Sequence, residues 1–171
     1  MADLLTRFAE RAGEYRAGVH LCSSDELPAL LARLVRDSSG VIVASGLAPE
    51  WTSMMEPPLL AGAELSPREL DRAGLSVLTG CALAIAETGT IVLDAGPGQG
   101  PRRLTLVPDH HVCVVTAGQL VADVPDMIAA LPDRSRPITM ISGPSATSDI
   151  ELNRVEGVHG PRRLDIVCVT P

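Results

Sequence analysis

The stretch that most limits how this chain can fold is Val41-Ile42-Val43-Ala44-Ser45-Gly46, an apolar run without alternation that stops at a glycine. A strand with one wet face alternates apolar and polar residues. A run that is apolar at every position needs cover on both faces, as strands of a parallel sheet have. Upstream, Leu27, Leu30, Leu31, Leu34 and Val35 recur at helical spacing. Ser23 and Glu26 stand before them at capping-box distance, so a helix is predicted to run to about residue 36. Residues 19–22 read as a short strand before that helix. Strand, helix and buried strand in this order predict an α/β fold built on crossover units.

The remaining pattern extends that reading. Leu4, Leu5, Phe8, Ala9 and Ala12 form the apolar stripe of an amphipathic helix over residues 2–16, expected to be peripheral. Ser66-Pro67-Arg68-Glu69 is a second capping box with a first-turn proline, which predicts a short helix to about residue 72. Residues 75–78, 104–107, 112–115, 138–141 and 164–169 read as strands. Residues 81–87 and 90–93 flank Thr88-Gly89 as a hairpin, and 123–131 reads as a helix with Pro125 in its first turn. The Gly-Pro-rich residues 94–101 offer few anchoring side chains, so they are expected to be mobile, either as a flap over the pocket or, more plainly, as a flexible connecting loop. Gly100-Pro101-Arg102-Arg103-Leu104 recurs as Gly160-Pro161-Arg162-Arg163-Leu164, which sets two arginine pairs at the entrances of two predicted strands. The whole is expected to be one domain over residues 1–171: three layers, α/β/α, on a mostly parallel sheet with an antiparallel hairpin.

Composition narrows the chemistry. All 14 basic residues are arginine and none is lysine, in keeping with GC-rich coding, so Schiff-base chemistry and a P-loop lysine are excluded. The formal charge of −7 and an aromatic content of 2% argue against nucleic acid as a partner. Cys22, Cys81, Cys113 and Cys168 are too far apart in sequence for a paired metal motif and read as buried thiols of a reducing cytoplasm. No apolar run reaches membrane-spanning length, so no membrane partner is expected.

Three segments carry candidate chemistry. In the first, a strand ending at Ile141 meets Ser142-Gly143-Pro144-Ser145-Ala146-Thr147-Ser148-Asp149-Ile150-Glu151. Small residues and hydroxyls there suit an anion at a helix start, although Ser148 and Glu151 also read as a simple capping box. In the second, Glu87 sits between small apolar residues and the turn Thr88-Gly89-Thr90. Partial burial there would raise its pKa for acid–base or nucleophilic work, and exposure or an arginine partner is the plainer alternative. In the third, His159 precedes Arg162 in a turn and is a candidate proton shuttle, with a structural turn histidine as the plainer alternative. His110 and His111 point to opposite sides of a strand and make a poor metal pair, and no metal site is expected. Ser45, Gly46, Glu87, Thr88, Gly89, Thr90, residues 142–151, His159, Arg102 and Arg162 are therefore expected to surround one pocket beyond the strand ends.

Ala86-Glu87-Thr88-Gly89-Thr90, Ile141-Ser142-Gly143-Pro144-Ser145 with Thr147, Asp149, Ile150 and Glu151, and Gly157-Val158-His159-Gly160-Pro161-Arg162 together resemble the LUD (lactate-utilisation) domain family. The resemblance is specific over residues 75–169. It implies a fold like glucosamine-phosphate isomerase, ribose-phosphate isomerase and the CoA transferases. It also implies a role in oxidising L-lactate to pyruvate, with iron–sulfur clusters held only by partner subunits and no cofactor on this chain. The ligand would be a small anion, namely a hydroxy acid, a phosphate or a CoA ester. By analogy with CoA transferases, Glu87-Thr88-Gly89 places a nucleophilic glutamate at the hairpin turn. A transferase or isomerase acting on a CoA-linked or phosphorylated molecule is thus an alternative. A non-catalytic binding or assembly subunit is another, and the sequence leaves the oligomeric state open, a homodimer included.

Overall fold

The protein was analysed as a computed structural model, which describes residues 2–131, 133, 135–148, 154–156 and 160–170. In chain order its elements are α1 (Ala2–Glu14), β1 (Gly18–Cys22), α2 (Leu27–Val35), β2 (Gly40–Val43), β3 (Leu59–Ala61), α3 (Pro67–Leu70), β4 (Leu75–Gly80), β5 (Leu83–Ile85), β6 (Thr90–Leu93), α4 (Arg103–Leu106), β7 (His110–Thr116), β8 (Leu120–Val121), α5 (Val124–Ala130), β9 (Thr139–Ile141), β10 (Ala146–Ser148), β11 (Arg154–Glu156) and β12 (Arg163–Val169).

Six strands form one sheet in the order β1-β12-β7-β4-β2-β3, with every neighbouring pair parallel. Val41 and Ile42 are fully buried, as an apolar run without alternation requires. Leu27, Leu30, Leu31 and Val35 of α2 cover one face of the sheet, against Val112, Val114 and Val167. The other face, with Cys113, Val115, Leu164 and Ile166, is covered by α1 and by a smaller sheet of order β8-β5-β6-β9. In that smaller sheet the β5–β6 and β6–β9 pairs are antiparallel, while β8 pairs parallel with β5. α5 packs on its outer side through Met127. The fold is therefore mixed α/β around a mostly parallel sheet, with the hairpin about Thr88-Gly89 as expected.

Four local expectations are revised. First, α1 is not peripheral: Phe8 and Ala12 are fully buried in the core beneath the second sheet. Second, residues 103–106 are helical rather than extended. Leu104 and Val107, three apart on one helical face, both pack on the Ile42, Leu70 and Val77 cluster, so the repeated Gly-Pro-Arg-Arg-Leu string enters a helix once and a strand once. Third, Ala146–Ser148 is a strand paired antiparallel with Arg154–Glu156, where a helix start was expected. β-branched Thr147 and Val155 sit opposite each other there, and the Ser–x–x–Glu spacing that suggested a helix does not by itself oblige one.

The fourth concerns residues 94–101, which are tied down. The Gln99 amide donates to Asp94 Oδ1 (2.8 Å), its carbonyl accepts the Asp94 N–H (2.7 Å), and Gly96 N–H also reaches Asp94 Oδ1 (3.0 Å). Gly98 bridges two strand ends, donating to the Ser45 carbonyl (2.9 Å) and accepting from Gly80 N–H (2.7 Å). Gly98 has φ +76, a conformation that glycine adopts without strain. We expect the Gly98 amide to exchange as slowly as core strand amides without any ligand. Exchange at the rate of an open loop would contradict these bonds.

His111 is fully buried and bonded through Nε2 to Thr79 Oγ1 (2.8 Å), and its Nδ1 has no partner among the described residues. Burial, reinforced by His110, pushes its pKa down to about 3. In the unfolded chain a histidine protonates near 6.5, so below that pH the unfolded state binds a proton that the folded state refuses. Stability should fall by about 2–3 kcal/mol between pH 6.5 and 4.5 from this group. The check is the urea midpoint across that range, and a His111→Leu variant should flatten the decline.

Candidate functional site

Part of the expected pocket assembles. β9 delivers Ser142, Gly143 and Ser145, and the Ser145 N–H donates to the Pro161 carbonyl (2.8 Å), which draws this turn against the entrance of β12. Arg102, Thr105 and Leu106, at and inside the start of α4, form the facing wall. Together with Gly160 and Pro161 they enclose a cleft of about 230 Å³. Gly143 has φ +89, and a Cβ there would run into the backbone of Tyr15 at the end of α1. That glycine is required by packing.

The hairpin turn connects to this cleft through hydroxyls. Thr88 Oγ1 meets Thr90 Oγ1, and Thr90 Oγ1 meets Ser142 Oγ, each at 2.7 Å. Gly89, at φ +61, lies so close to the backbone of Arg11 and Ala12 that any Cβ would collide with it. Glu87 does not line the cleft. Its side chain is 53% exposed and lies 3.8 Å from Arg7 of α1. The Thr-Gly turn thus serves as the docking point for α1, and Glu87 takes the exposed, arginine-paired position rather than a partly buried one.

The other expected members are dispersed. Ser45 and Gly46 lie at the carboxyl end of β2 in a separate cleft of about 360 Å³, lined with Leu59, Leu60 and Gly62. Arg162 is exposed, with Nε 3.6 Å from Asp109 Oδ1. Pro144 follows Gly143 in the turn but does not line the cleft, and Thr147 is paired in β10 opposite Val155. Asp149, Glu151 and His159 lie outside the described residues. For an anion the Arg102 cleft offers the Arg102 guanidinium, which has no ion pair among the described residues, with the Ser145 and Thr139 hydroxyls also in its lining. No group of three or more metal-ligating side chains occurs among the described residues.

The sequence reading left unexplained a set of polar residues at the amino end of the parallel sheet, on its α2 face. Asp165 Oδ1 accepts from His20 Nε2 (2.7 Å), and Oδ2 accepts from His110 Nε2 (2.8 Å) and Arg163 Nε (2.7 Å). His110 Nδ1 meets Ser76 Oγ (2.7 Å), which meets Ser38 Oγ (2.6 Å). Burial alone would raise the Asp165 pKa. The bonds from His110 and His20 and the Arg163 charge outweigh burial and hold it at about 2. The available signal was an aspartate inside the otherwise apolar string Leu164-Asp165-Ile166-Val167. Removing one partner of a buried charge is costly, so Asp165→Asn should lose about 3 kcal/mol of stability in chemical denaturation. A loss below about 1 kcal/mol would mean that the network is dispensable.

An α/β protein with a small arginine-walled cleft between a parallel sheet and a hairpin-bearing one is the class these features define. The LUD domain family matches residues 50–169. The chain is 47% identical over 171 residues to lactate utilization protein C of Deinococcus radiodurans, covering 98% of this chain and 80% of that protein. It is 37% identical over 93 residues to lactate utilization protein C of an Exiguobacterium species, covering 50% of this chain and 40% of that one. A crystal structure of a DUF162 family protein from Deinococcus radiodurans superimposes with a TM-score of 0.84 at 41% identity, covering 99% of this chain and 98% of that one. The chain belongs to the LUD domain family. It spans most of the Deinococcus relative and about two-fifths of the Exiguobacterium one. Among the described residues no helix is long and apolar enough to cross a membrane.

Proposed function

We propose that this chain serves lactate utilisation by binding a small hydroxy acid in the Arg102 cleft, as one component of a system that oxidises L-lactate to pyruvate. The observation that carries this reading is the 47% identity, over nearly the whole chain, to a protein named for lactate utilisation. The cleft chemistry supports it. An arginine without an ion pair presents a planar pair of donors that matches a carboxylate, and a nearby serine hydroxyl can take the 2-hydroxyl.

In this reading the electrons pass to iron–sulfur partner proteins. Cluster ligands must be thiolates. The four cysteines carry no paired-ligand spacing in the sequence, so in this reading the clusters belong to the partners, and the chain works in the cytoplasm beside them. The transferase or isomerase alternative requires Glu87 as nucleophile or base. Its exposed position beside Arg7 offers nothing in favour of that role.

Deleting the gene in a host without a parallel route should abolish growth on L-lactate and spare growth on pyruvate. Undiminished growth on L-lactate overturns the reading. Restoring the gene with Arg102→Gln should leave folding intact and lower L-lactate affinity about 10- to 100-fold, the weight of a charge-assisted bidentate contact. Calorimetric titration of the purified variant reads this directly.

A further inference from the structure

On the opposite face of the parallel sheet, β1 and α2 border a second cleft, of about 370 Å³, lined by His20, Leu21, Cys22, Glu26, Leu30 and Arg33. Its volume falls within the range of small-molecule sites. Two of its polar residues are free to meet a ligand and one is not. The Glu26 carboxylate is occupied, accepting from the Ser23 N–H (2.9 Å) and hydroxyl (2.8 Å), and these bonds hold its pKa below the usual value. Arg33 is exposed and makes no ion pair among the described residues.

The donor and acceptor pattern of His20 follows from Asp165. An ionised carboxylate only accepts, so the His20 nitrogen facing it, Nε2, must carry the proton. That leaves Nδ1 of the neutral ring as an acceptor, and it has no partner among the described residues. The ring is 28% exposed and lines the cleft, whereas Asp165 behind it is 5% exposed. Gly18 completes the arrangement, because a Cβ there would collide with Asp165 Oδ1. A buried carboxylate gives little stability that apolar packing would not, so its benefit is the fixed orientation of the imidazole.

We propose that this cleft is a second ligand site, for a small organic anion that bears a hydroxyl. Arg33 takes the carboxylate or phosphate of that anion, and His20 Nδ1 accepts a hydrogen bond from its hydroxyl. Asp165 is a positioning residue, acting only through the His20 ring. The site is separate from the Arg102 cleft, which lies on the other face of the sheet.

The test uses the full chain with ¹⁵N-labelled histidine and follows the imidazole nitrogens during titration. The probes are L-lactate, D-glycerate and glycerol 3-phosphate, with propionate as the anion lacking a hydroxyl. At least one hydroxylated probe should shift His20 Nδ1 saturably, and propionate should bind at least about tenfold more weakly. Arg33→Gln, a surface change, should weaken that probe by a similar factor, while Arg102→Gln leaves the His20 response unchanged. Asp165→Asn should redistribute the His20 proton between its two nitrogens, a signature that a purely structural role would not produce. No His20 shift with any of the three hydroxylated probes at tens of millimolar overturns the proposal. So does a shift that Arg33→Gln leaves unaltered, or propionate binding as tightly as the hydroxylated probes. Loss of the His20 response in Arg102→Gln would assign it to the Arg102 cleft and overturn a separate site.

Discussion

One ionised carboxylate organises the amino end of the parallel sheet. Asp165 sits on β12 and receives His20 from β1, His110 from β7 and Arg163 from its own strand, while His110 passes the chain of bonds on to Ser76 of β4. Four adjacent strands are thereby joined by side chains as well as by backbone. A charge this deeply buried is tolerated because both of its oxygens meet donors, one of them the Arg163 cation, and losing that arginine would remove its permanent counter-charge. The same carboxylate decides which nitrogen of His20 carries a proton. The polar chain across these four strands and the orientation of His20 in the β1–α2 cleft therefore meet at a single residue.

The opposite face is organised by close approach. Gly89 and Gly143 sit at turns of the smaller sheet, both with positive φ and both without room for a Cβ because α1 lies against them. Phe8 and Ala12 then reach the core between the two sheets. This packing explains the glycines in Glu87-Thr88-Gly89 and Ser142-Gly143 without a ligand. Arg102, Ser145 and Thr139 line the neighbouring cleft and make no side-chain hydrogen bond or ion pair among the described residues. Two of the strings that carry the family resemblance thus serve packing and the cleft together.

Much was legible in the chain itself. The apolar strand at residues 41–43, the capping box at Ser66 and Glu69, the hairpin about Thr88-Gly89 and the valine-rich strands at 112–115 and 164–169 all form where their patterns place them. These are local effects: an unalternated apolar strand has to be covered on both faces, and the Ser66 hydroxyl and Glu69 carboxylate bond back to the first-turn backbone of the helix they open. Family membership was legible for a different reason, because three short strings resemble one family in the expected order.

What the sequence left to the tertiary structure is order, partnership and burial. β1 and β2, joined by α2, look like neighbours in the chain, yet β12, β7 and β4 lie between them in the sheet. Leu104 and Val107 fit a strand by composition and a helix by the cluster they meet. Gln99 looked like a loop residue until Asp94 stood opposite it. For Glu87 the sequence left a partly buried position and an exposed, arginine-paired one both open, and α1 decided between them by setting Arg7 beside it. His20, Asp165 and His110 are as much as 145 positions apart in sequence, so no local pattern couples them. Local propensity and periodicity act over a few residues, whereas a buried charge finds its partners only when distant strands are brought into register.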